Sequence, residues 1–348
     1  MNGFFTGKKV LIIGGTGTIG QSLLRTILLD NPEVIRILSR DEHKQFELQQ
    51  EWGHISNIRY LIGDVRDYER VRRAMQDIDY VFHTAAMKHV PSCEYNPFEA
   101  VQTNILGTQN VIQASLDCGV AKTVFTSTDK AISPTNTYGA SKLMAERLIS
   151  AAQYYGGAGK TIFAAVRFGN VMGSRGSVIP LFQKQIIDKS QITVTKKDMS
   201  RFMMTLQQAT ELTIDALMKA QGGEIFVLKM PVILLQDLAE CVIEEVSKQL
   251  NRSPSLVTIN EIGLRPGEKM YEELMTEEES VHAFELDKMF IIPNAFVVQR
   301  QYQGAVPATV RSYSSHHSSP ISKEMVRKML IENKLISSIE LNREWISV

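Results

Sequence analysis

Residues 9–20 read KVLIIGGTGTIG, an apolar run that leads into three glycines spaced three residues apart, Gly14, Gly17 and Gly20. The first five residues are typical of a buried strand, and the periodic segment Ile19–Leu29 predicts a helix directly after them. Glycines at these positions permit a tight turn, let the backbone approach a pyrophosphate and direct a helix N-terminus at it. The stretch therefore predicts a dinucleotide-binding strand–turn–helix unit, with a glycine-rich turn that has no ligand as the alternative.

The alternation of strand and helix continues to about residue 170. Strand-like apolar runs recur at 34–38, 58–62, 80–84, 120–125 and 161–166, and helical patterns lie between them. This order predicts an α/β protein with a Rossmann-like, doubly wound parallel sheet. The looser pattern that follows predicts a smaller C-terminal substrate-binding lobe. The expected regions are 1–170 for the Rossmann domain, with later segments free to return to it, 171–301 mainly for the lobe, and 302–348 for a polar linker and a C-terminal helix.

Composition narrows the class of protein. The chain has 348 residues, of which 44% are hydrophobic and 22% charged, and its 38 basic and 38 acidic residues cancel. We therefore expect neither a nucleic-acid partner nor a membrane span, since no apolar run approaches ~20 residues. The N-terminus leaves no room for a signal peptide before the first strand. The three cysteines lack pairing or metal-ligand spacing, so a reducing cytoplasm and no metal are expected.

Residues 126–142, TSTDKAISPTNTYGASK, hold the densest proton chemistry of the chain. Asp129 and Lys130 follow the strand-like run 120–125, where a parallel sheet presents its ligand edge. Tyr138 and Lys142 are four residues apart in a helical segment and are therefore neighbours on one helix face. A phenol beside an ammonium has a lowered pKa, so this pair predicts a base that removes a hydroxyl proton.

The end of the second strand bears on which cofactor is bound. Ser39 and Arg40 lie about 20 residues beyond the glycines, where a carboxylate favours a free ribose 2′-hydroxyl and an arginine favours a 2′-phosphate. Asp41 and Glu42 follow at once and would present a carboxylate after a shift of one residue. Arg40 favours NADP, and NAD stays as the alternative.

Two further strand ends carry candidate cofactor contacts. Asp64 and Val65 follow the run 58–62, where a carboxylate could accept the adenine amino group or cap the next helix. Both interpretations stay open. Small residues follow the run 80–84, and Ala85 is suited to close passage beside a cofactor.

Several polar residues beyond position 170 are candidates for binding a second diphosphate. Arg175, Arg201 and Arg265 can each grip phosphate oxygens through a planar guanidinium group, although isolated arginines also serve as solvated surface or ion pairs. His316 and His317 are adjacent, but they lack companions at metal-ligand spacing and indicate a solvated loop.

The motifs together resemble a known family. Gly14–Gly20, Asp64–Val65, Tyr138 with Lys142, and the chain length are similar to the extended short-chain dehydrogenase/reductase superfamily. Within it, the stretch from about Lys8 to Glu278 resembles the inverting UDP-N-acetylglucosamine 4,6-dehydratases. Thr128-Asp129-Lys130 is specific, because most extended relatives that carry out 4,6-dehydration have Thr-Asp-Glu there. The other motifs of this resemblance are Ser39–Glu42, Ala85–Pro91, Glu94–Pro97, Arg167–Val171, Ser174–Pro180 and Arg265–Lys269.

The resemblance implies a lyase that oxidises C4 of the sugar, eliminates water across C5 and C6, and returns the hydride to C6. It implies that Tyr138 removes the 4-hydroxyl proton and that Thr128 orients the substrate. Lys142 would lower the pKa of the tyrosine and bind the nicotinamide ribose. Asp129 would protonate the departing 6-hydroxyl, and Lys130 would be the C5 base. A depressed lysine pKa is required for that role, and a salt bridge to Asp129 or to the cofactor phosphates is the alternative for Lys130.

The resemblance also supplies binding residues for both ligands. The expected cofactor contacts are Gly14, Thr16, Gly17, Thr18, Ile19, Gly20, Ser39, Arg40, Lys44, Asp64, Val65, Ala85, Tyr138, Lys142 and Val171. The expected UDP-sugar contacts are Lys88, Asn170, Arg175, Arg201, Arg265 and Glu268. Relatives imply a homo-oligomer that pairs through the helices 97–117 and 138–155.

Two alternatives to this function remain from the sequence. One is a retaining 4,6-dehydratase, or a dehydratase that also epimerises C5, acting on a UDP-amino sugar. The other is a non-catalytic NADP-sensing protein, although a binding module has no need of Asp129, Lys130, Tyr138 and Lys142 together. Fold alone does not choose among them.

Overall fold

A computed structural model describes residues 3–155, 161–174, 176–264, 267–294, 296 and 301–336. Its strands are β1 Lys9–Ile13, β2 Val34–Ser39, β3 Ile58–Ile62, β4 Tyr80–His83, β5 Lys122–Thr126, β6 Ile162–Arg167, β7 Asn170–Val171, β8 Gln191–Val194, β9 Ser200–Met204, β10 Glu224–Leu228, β11 Val232–Leu234, β12 Thr258–Glu261, β13 Glu273–Met275, β14 Phe284–Glu285, β15 Met289–Ile292, β16 Val306–Pro307 and β17 Tyr313–Ser314. Its helices are α1 Thr18–Leu28, α2 Glu42–Trp52, α3 Tyr68–Met75, α4 Val90–Tyr95, α5 Pro97–Ala100, α6 Gly107–Asp117, α7 Thr137–Tyr155, α8 Val178–Lys189, α9 Leu206–Lys219, α10 Leu235–Gln249, α11 Glu277–Ser280 and α12 Lys323–Glu332.

The chain divides into two units and passes between them several times. The first, called here the sheet unit, comprises Met1–Gly169, Leu206–Met230 and Glu273–Ser314. The second, the smaller unit, comprises Asn170–Thr205, Pro231–Glu272 and Ser315–Val348. Neither unit is a continuous stretch of sequence.

A ten-stranded sheet with the order β16-β14-β15-β10-β6-β5-β4-β1-β2-β3 forms the centre of the sheet unit. Seven neighbouring strands of this sheet run parallel, in the order β10-β6-β5-β4-β1-β2-β3, and β15, β14 and β16 add an antiparallel edge. Because β1 lies between β2 and β4, the strand order reverses beside the glycine turn, where doubly wound sheets bind ligands. The predicted Rossmann-like fold is confirmed, and the antiparallel edge was not foreseen.

Apolar strands and helix faces explain why the sheet unit forms. Four of the five β1 residues and all five β10 residues are buried, as expected for strands covered on both faces. The region predicted as one helix over 97–117 is instead α5, a π-helical turn at Val101–Leu106 and α6. A π-helical turn shifts the side chains that follow it and is frequent at functional sites.

The smaller unit has its own apolar core. Its strands form the three-stranded sheet β11-β9-β7 and the pair β12-β8. Side chains from α8, α10 and α12 pack against them in one cluster that includes Phe182, Val242 and Leu330. The cluster anchors the C-terminal helix α12 in this unit.

Residues 302–321 differ from the expected polar linker. They contain β16 and β17, and the side chains of Tyr302 and Ser314 are buried. Their serines and glycines conceal the pairing, because the strands are only two residues long and their partners lie far away in sequence. Among the described helices, none has the length and apolarity that crossing a bilayer requires.

Candidate functional site

The glycine turn is built for close approach of its backbone. Gly14 has φ +83, and a Cβ on it would lie 2.7 Å from the Ala85 backbone nitrogen. A Cβ on Gly20 would lie 2.5 Å from Gly15 Cα, so the helix can begin this near the strand only with glycine there. Helix α1 begins at Thr18, and its N-cap Gly17 offers no side chain to its amides. These features fit a dinucleotide pyrophosphate.

The side chains after β2 form a polar cluster beside this turn. Thr16 Oγ1 and Ser39 Oγ lie 2.7 Å apart. Asp41 caps helix α2 by accepting a hydrogen bond from the Lys44 amide, and Lys44 Nζ lies 2.5 Å from Asp41 Oδ2. Hydrogen bonds from Lys44 lower the pKa of Asp41. Asp41 is thus engaged with its own helix, and Arg40 is more exposed than Lys44, with 61% of its side chain open against 40%.

Asp64 does not cap the following helix, so that interpretation is wrong. The N-cap of α3 is Asp67, which accepts a hydrogen bond from the Arg70 amide. Asp64 instead accepts hydrogen bonds from the Arg66 amide and guanidinium at 2.8–3.0 Å, and its Oδ2 lies 4.0 Å from Arg40. Burial opposes ionisation of Asp64, but these arginines hold its pKa below the usual value. The arginines thus keep Asp64 in its carboxylate form, which is the form that accepts hydrogen bonds.

The loop after β4 is held by a residue that sequence reasoning missed. Asn104, buried in the π-helical turn, accepts a hydrogen bond from the Met87 amide at 2.8 Å and donates to the Met87 carbonyl at 2.9 Å. Its amide nitrogen also lies 2.9 Å from Ser141 Oγ on α7. Lys88 follows Met87 and is exposed. The signal available in the sequence was an asparagine among the apolar positions of a helical segment. In the structure, the Asn104 side chain fixes the loop that carries Lys88 against α7.

Asp129 and Lys130 form an ion pair directly after β5. Asp129 is 4% exposed, and Lys130 Nζ lies 3.0 and 3.2 Å from its two carboxylate oxygens. Thr128 Oγ1 donates to Asp129 Oδ1 at 2.9 Å and so orients the carboxylate. The salt bridge considered as the alternative for Lys130 is therefore present, and it favours the charged lysine.

Tyr138 lies near this ion pair, at the start of α7. Its ring packs with the buried side chains of Cys93 and Ala100, and its hydroxyl hydrogen-bonds with Thr128. Burial raises the pKa of Tyr138 to about 12, and the positive charge of Lys130 opposes that rise. The expected lowering by Lys142 is wrong: burial dominates, and the cation that favours the tyrosinate is Lys130.

Lys142 is buried one helical turn beyond Tyr138. Its Nζ donates to the Thr126 carbonyl at 2.6 Å and lies 3.8 Å from the centre of the Phe125 ring. Burial lowers the pKa of Lys142 to about 7, although the charge of Glu146 opposes this. A lysine with that pKa can hold or release a proton near neutral pH.

In the smaller unit, two of the predicted substrate residues, Asn170 and Arg201, both contact Glu272, which was not predicted. Asn170 donates to both Glu272 oxygens at 2.8 and 2.9 Å, and Arg201 Nε lies 3.4 Å from Glu272 Oε1. Arg201 also donates to the carbonyls of Ser200, Met270 and Lys269. These bonds occupy the guanidinium, which indicates an arginine that shapes the 267–272 segment. No local sequence motif pointed to Glu272.

The remaining predicted residues lie as follows. Val65 is buried against Gly107, Val171 is in β7 of the smaller unit, and Glu268 is exposed in the loop before β13. Arg175 and Arg265 lie outside the described residues. Exposed His316 makes ring contacts with Tyr271 and His317, and among the described residues no group of three or more His, Cys, Asp or Glu is arranged to hold a metal.

Comparison with protein families and solved structures identifies the relatives of this chain. Residues 10–294 match a family model described as polysaccharide biosynthesis protein. The X-ray structure of Pen from Bacillus thuringiensis superposes with a TM-score of 0.91 at 58% identity, covering 96% of this chain and 100% of that one. An uncharacterized membrane protein of Methanocaldococcus jannaschii is 46% identical over 332 residues, covering 95% of this chain and 98% of that protein.

Two named enzymes are also similar. An inverting UDP-N-acetylglucosamine 4,6-dehydratase of Campylobacter jejuni is 41% identical over 309 residues, 87% of this chain and 88% of that protein. A UDP-glucose 4-epimerase of Rickettsia akari is 37% identical over 339 residues, 94% of this chain and 96% of that protein. The resemblance deduced from the sequence motifs is confirmed.

Proposed function

The chain belongs to the polysaccharide biosynthesis protein family, and on that premise we propose that it uses NADP to dehydrate UDP-N-acetylglucosamine to a UDP-4-keto-6-deoxy-hexosamine with inversion at C5. The product would supply surface polysaccharide or nonulosonic acid biosynthesis. One observation carries the proposal: the Asp129–Lys130 ion pair lies beside Thr128, which bonds to Tyr138. The similarity to inverting dehydratases of Campylobacter jejuni supports the same reaction.

Tyr138 accepts the proton of the substrate 4-hydroxyl as C4 is oxidised. The bound cofactor supplies reversible hydride removal from C4 and its return to C6. Oxidation makes the C5 hydrogen acidic, and Lys130 removes it. Asp129 protonates the 6-hydroxyl, which leaves as water. C5 is then reprotonated from the opposite face with a proton from solvent, and Tyr138 releases to solvent the proton that it took from the 4-hydroxyl, so the protons balance. Lys130 favours the tyrosinate form of Tyr138, and Lys142 binds the nicotinamide ribose.

The ion pair explains how one site obtains an acid and a base together. Elimination needs a neutral Lys130 amine and a protonated Asp129, whereas the ground-state pair is charged. A proton transfer from Lys130 Nζ to Asp129, across 3.0 Å, creates both groups at once. Elimination then returns Lys130 to its ammonium form and Asp129 to its carboxylate, so the pair closes its own proton cycle.

We expect the purified protein to convert UDP-N-acetylglucosamine for many turnovers without added cofactor. The hydride taken from C4 is returned to C6, so cofactor is not consumed. The reaction is run in deuterated water and followed by NMR, which reports loss of the 6-hydroxyl, deuterium at C5 and the C5 configuration. Stoichiometric accumulation of NADPH would contradict the internal redox cycle.

The same spectrum separates the alternatives. The relatives named UDP-glucose 4-epimerase make C4 epimerisation the second candidate, and its product would keep the 6-hydroxyl and take up no deuterium at C5. Retained configuration at C5 would indicate a retaining dehydratase, and a mixture of C5 epimers a bifunctional enzyme. Absence of any product with UDP-sugars would favour a cofactor-sensing protein.

We expect Arg40→Ala to weaken NADP binding by about 1.5–3 kcal/mol and to leave NAD affinity nearly unchanged, because a charge-assisted hydrogen bond to the 2′-phosphate is lost. Arg40 is the more exposed of the two cations, Arg40 and Lys44, in the polar cluster after β2. Calorimetric titration of both cofactors measures the difference, and Arg25→Ala, which removes a surface pair with Glu51, is the matched control. Equal losses for both cofactors would make Arg40 structural.

A further inference from the structure

Three charged side chains meet in the core of the sheet unit, behind the helix that carries Tyr138 and Lys142. Arg167, the last residue of β6, lies between Glu146 of α7 and Glu279 of α11. Its guanidinium binds Glu146 at 2.5 and 3.2 Å and Glu279 at 2.9 and 3.0 Å. The side chains of Arg167 and Glu146 are wholly buried, and that of Glu279 is 13% exposed.

The triad has one positive and two negative charges and therefore carries a net charge of −1. Burial alone would lower the pKa of Arg167, but the two carboxylates raise it, so the guanidinium stays charged. Burial alone would raise the pKa of Glu279, but Arg167 holds it below the usual value. An uncompensated charge in a protein core is costly, so a further cation near the triad would stabilise it.

One such cation is exposed Arg147, whose charge acts on Glu279. The buried one is Lys142, on which the charge of Glu146 acts. It precedes Glu146 by four residues on α7, so the two side chains lie on one face of the helix. The Lys142 amine is otherwise surrounded by uncharged groups, the Thr126 carbonyl and the Phe125 ring. His83, which faces it from β4, is neutral because burial holds its pKa at about 3.

Two other charged groups of the site are already paired. Asp129 and Lys130, from the turn after β5, bind each other. We propose that Glu146, held by Arg167, is a positioning residue that stabilises the ammonium form of Lys142 inside the site. The inference concerns the charge of Lys142, and it rests on the proposed function only for the role of Lys142 in binding the nicotinamide ribose.

The direction of the effect follows from the two opposing influences on Lys142. Burial disfavours its ammonium form and Glu146 favours it, and the pKa settles at about 7. The ammonium is therefore complete well below pH 7 and is lost as the pH rises through 7. When Glu146 loses its charge, burial acts unopposed, and the ammonium is lost at a lower pH.

We expect Glu146→Gln to lower the titration midpoint of Lys142 by about one pH unit or more, a tenfold change in its ionisation constant. Protein labelled with ¹³C and ¹⁵N at the ends of its lysine side chains is titrated by NMR, and the Lys142 signal is assigned by its disappearance in Lys142→Met. The conservative Glu146→Asp keeps the charge and should leave the midpoint near that of the wild type.

Two further variants keep the inference testable if Glu146→Gln fails to fold. In Glu279→Gln, Arg167 neutralises Glu146 more completely, so the Lys142 midpoint should fall by a smaller amount. Glu224→Gln is the matched control, since Glu224 is a buried carboxylate of β10 whose charge acts on Lys122. It should leave Lys142 unchanged.

An unchanged Lys142 midpoint in both Glu146→Gln and Glu279→Gln would overturn the inference, as would an equal shift in Glu224→Gln. The measurement contains no substrate, so it is independent of the proposed reaction. A protein that shows the lysine shift without forming a dehydrated sugar would retain this inference and reject the proposed function.

Discussion

Lys130→Met is expected to lower the rate of dehydration by at least about 10²–10⁴-fold, the usual contribution of a general acid–base group. The variant lacks the proposed C5 base, so deuterium uptake at C5 should stop as well. Oxidation at C4 does not need Lys130 as a base, and the enzyme should stall with NADPH and a 4-keto sugar bound. Absorbance at the NADPH band and NMR of the released sugar measure these two outcomes.

A matched lysine controls for the loss of an ion pair. Lys229 Nζ lies 2.7 Å from Glu285, and its side chain is 28% exposed, close to the 33% of Lys130. Lys229→Met should retain dehydration, and circular dichroism should show the wild-type fold for both variants. Full activity in Lys130→Met would assign the C5 base to another residue.

Tyr138→Phe is expected to block the first step, so that substrate produces no transient NADPH absorbance. The phenol is the group placed to accept the 4-hydroxyl proton, and its loss should cost roughly 10²–10⁴-fold in the rate of C4 oxidation. Stopped-flow absorbance measures this step directly. The two variants therefore fail at different points, Tyr138→Phe before oxidation and Lys130→Met after it.

Tyr154→Phe is the matched control for the tyrosine. Tyr154 is on the same helix, and its hydroxyl bonds to Asn294, away from the Thr128 hydrogen bond. This variant should oxidise C4 at the wild-type rate. Normal NADPH formation in Tyr138→Phe would remove Tyr138 from the proposed mechanism.

Local sequence signals predicted the parallel part of the sheet well. Each of its strands is a short apolar run, and the glycines from Gly14 to Gly20 fix the first turn by their geometry. The antiparallel edge escaped prediction because β14 and β16 are two residues long and depend on partners distant in sequence. Pairing of that kind leaves no periodic pattern to read.

The site shows the same division between local and long-range information. The spacing of Tyr138 and Lys142 placed both on α7, and the strand end placed Asp129 and Lys130 together. The tyrosine pKa was misjudged because helix spacing reports proximity, whereas burial depends on the whole fold. Asn104 and Glu272 were missed for a related reason, since their partners lie in other segments.

The position of β10 has a consequence for synthesis on the ribosome. All five of its residues are buried, and it pairs with β6 on one side and β15 on the other. The ribosome makes β15 about 60 residues after β10, which at roughly 5–20 residues per second takes several seconds. During that interval β10 is an open apolar edge that a second nascent chain could join. The antiparallel strands thus protect β10 from pairing with another chain, and this protection begins only when most of the chain has been made.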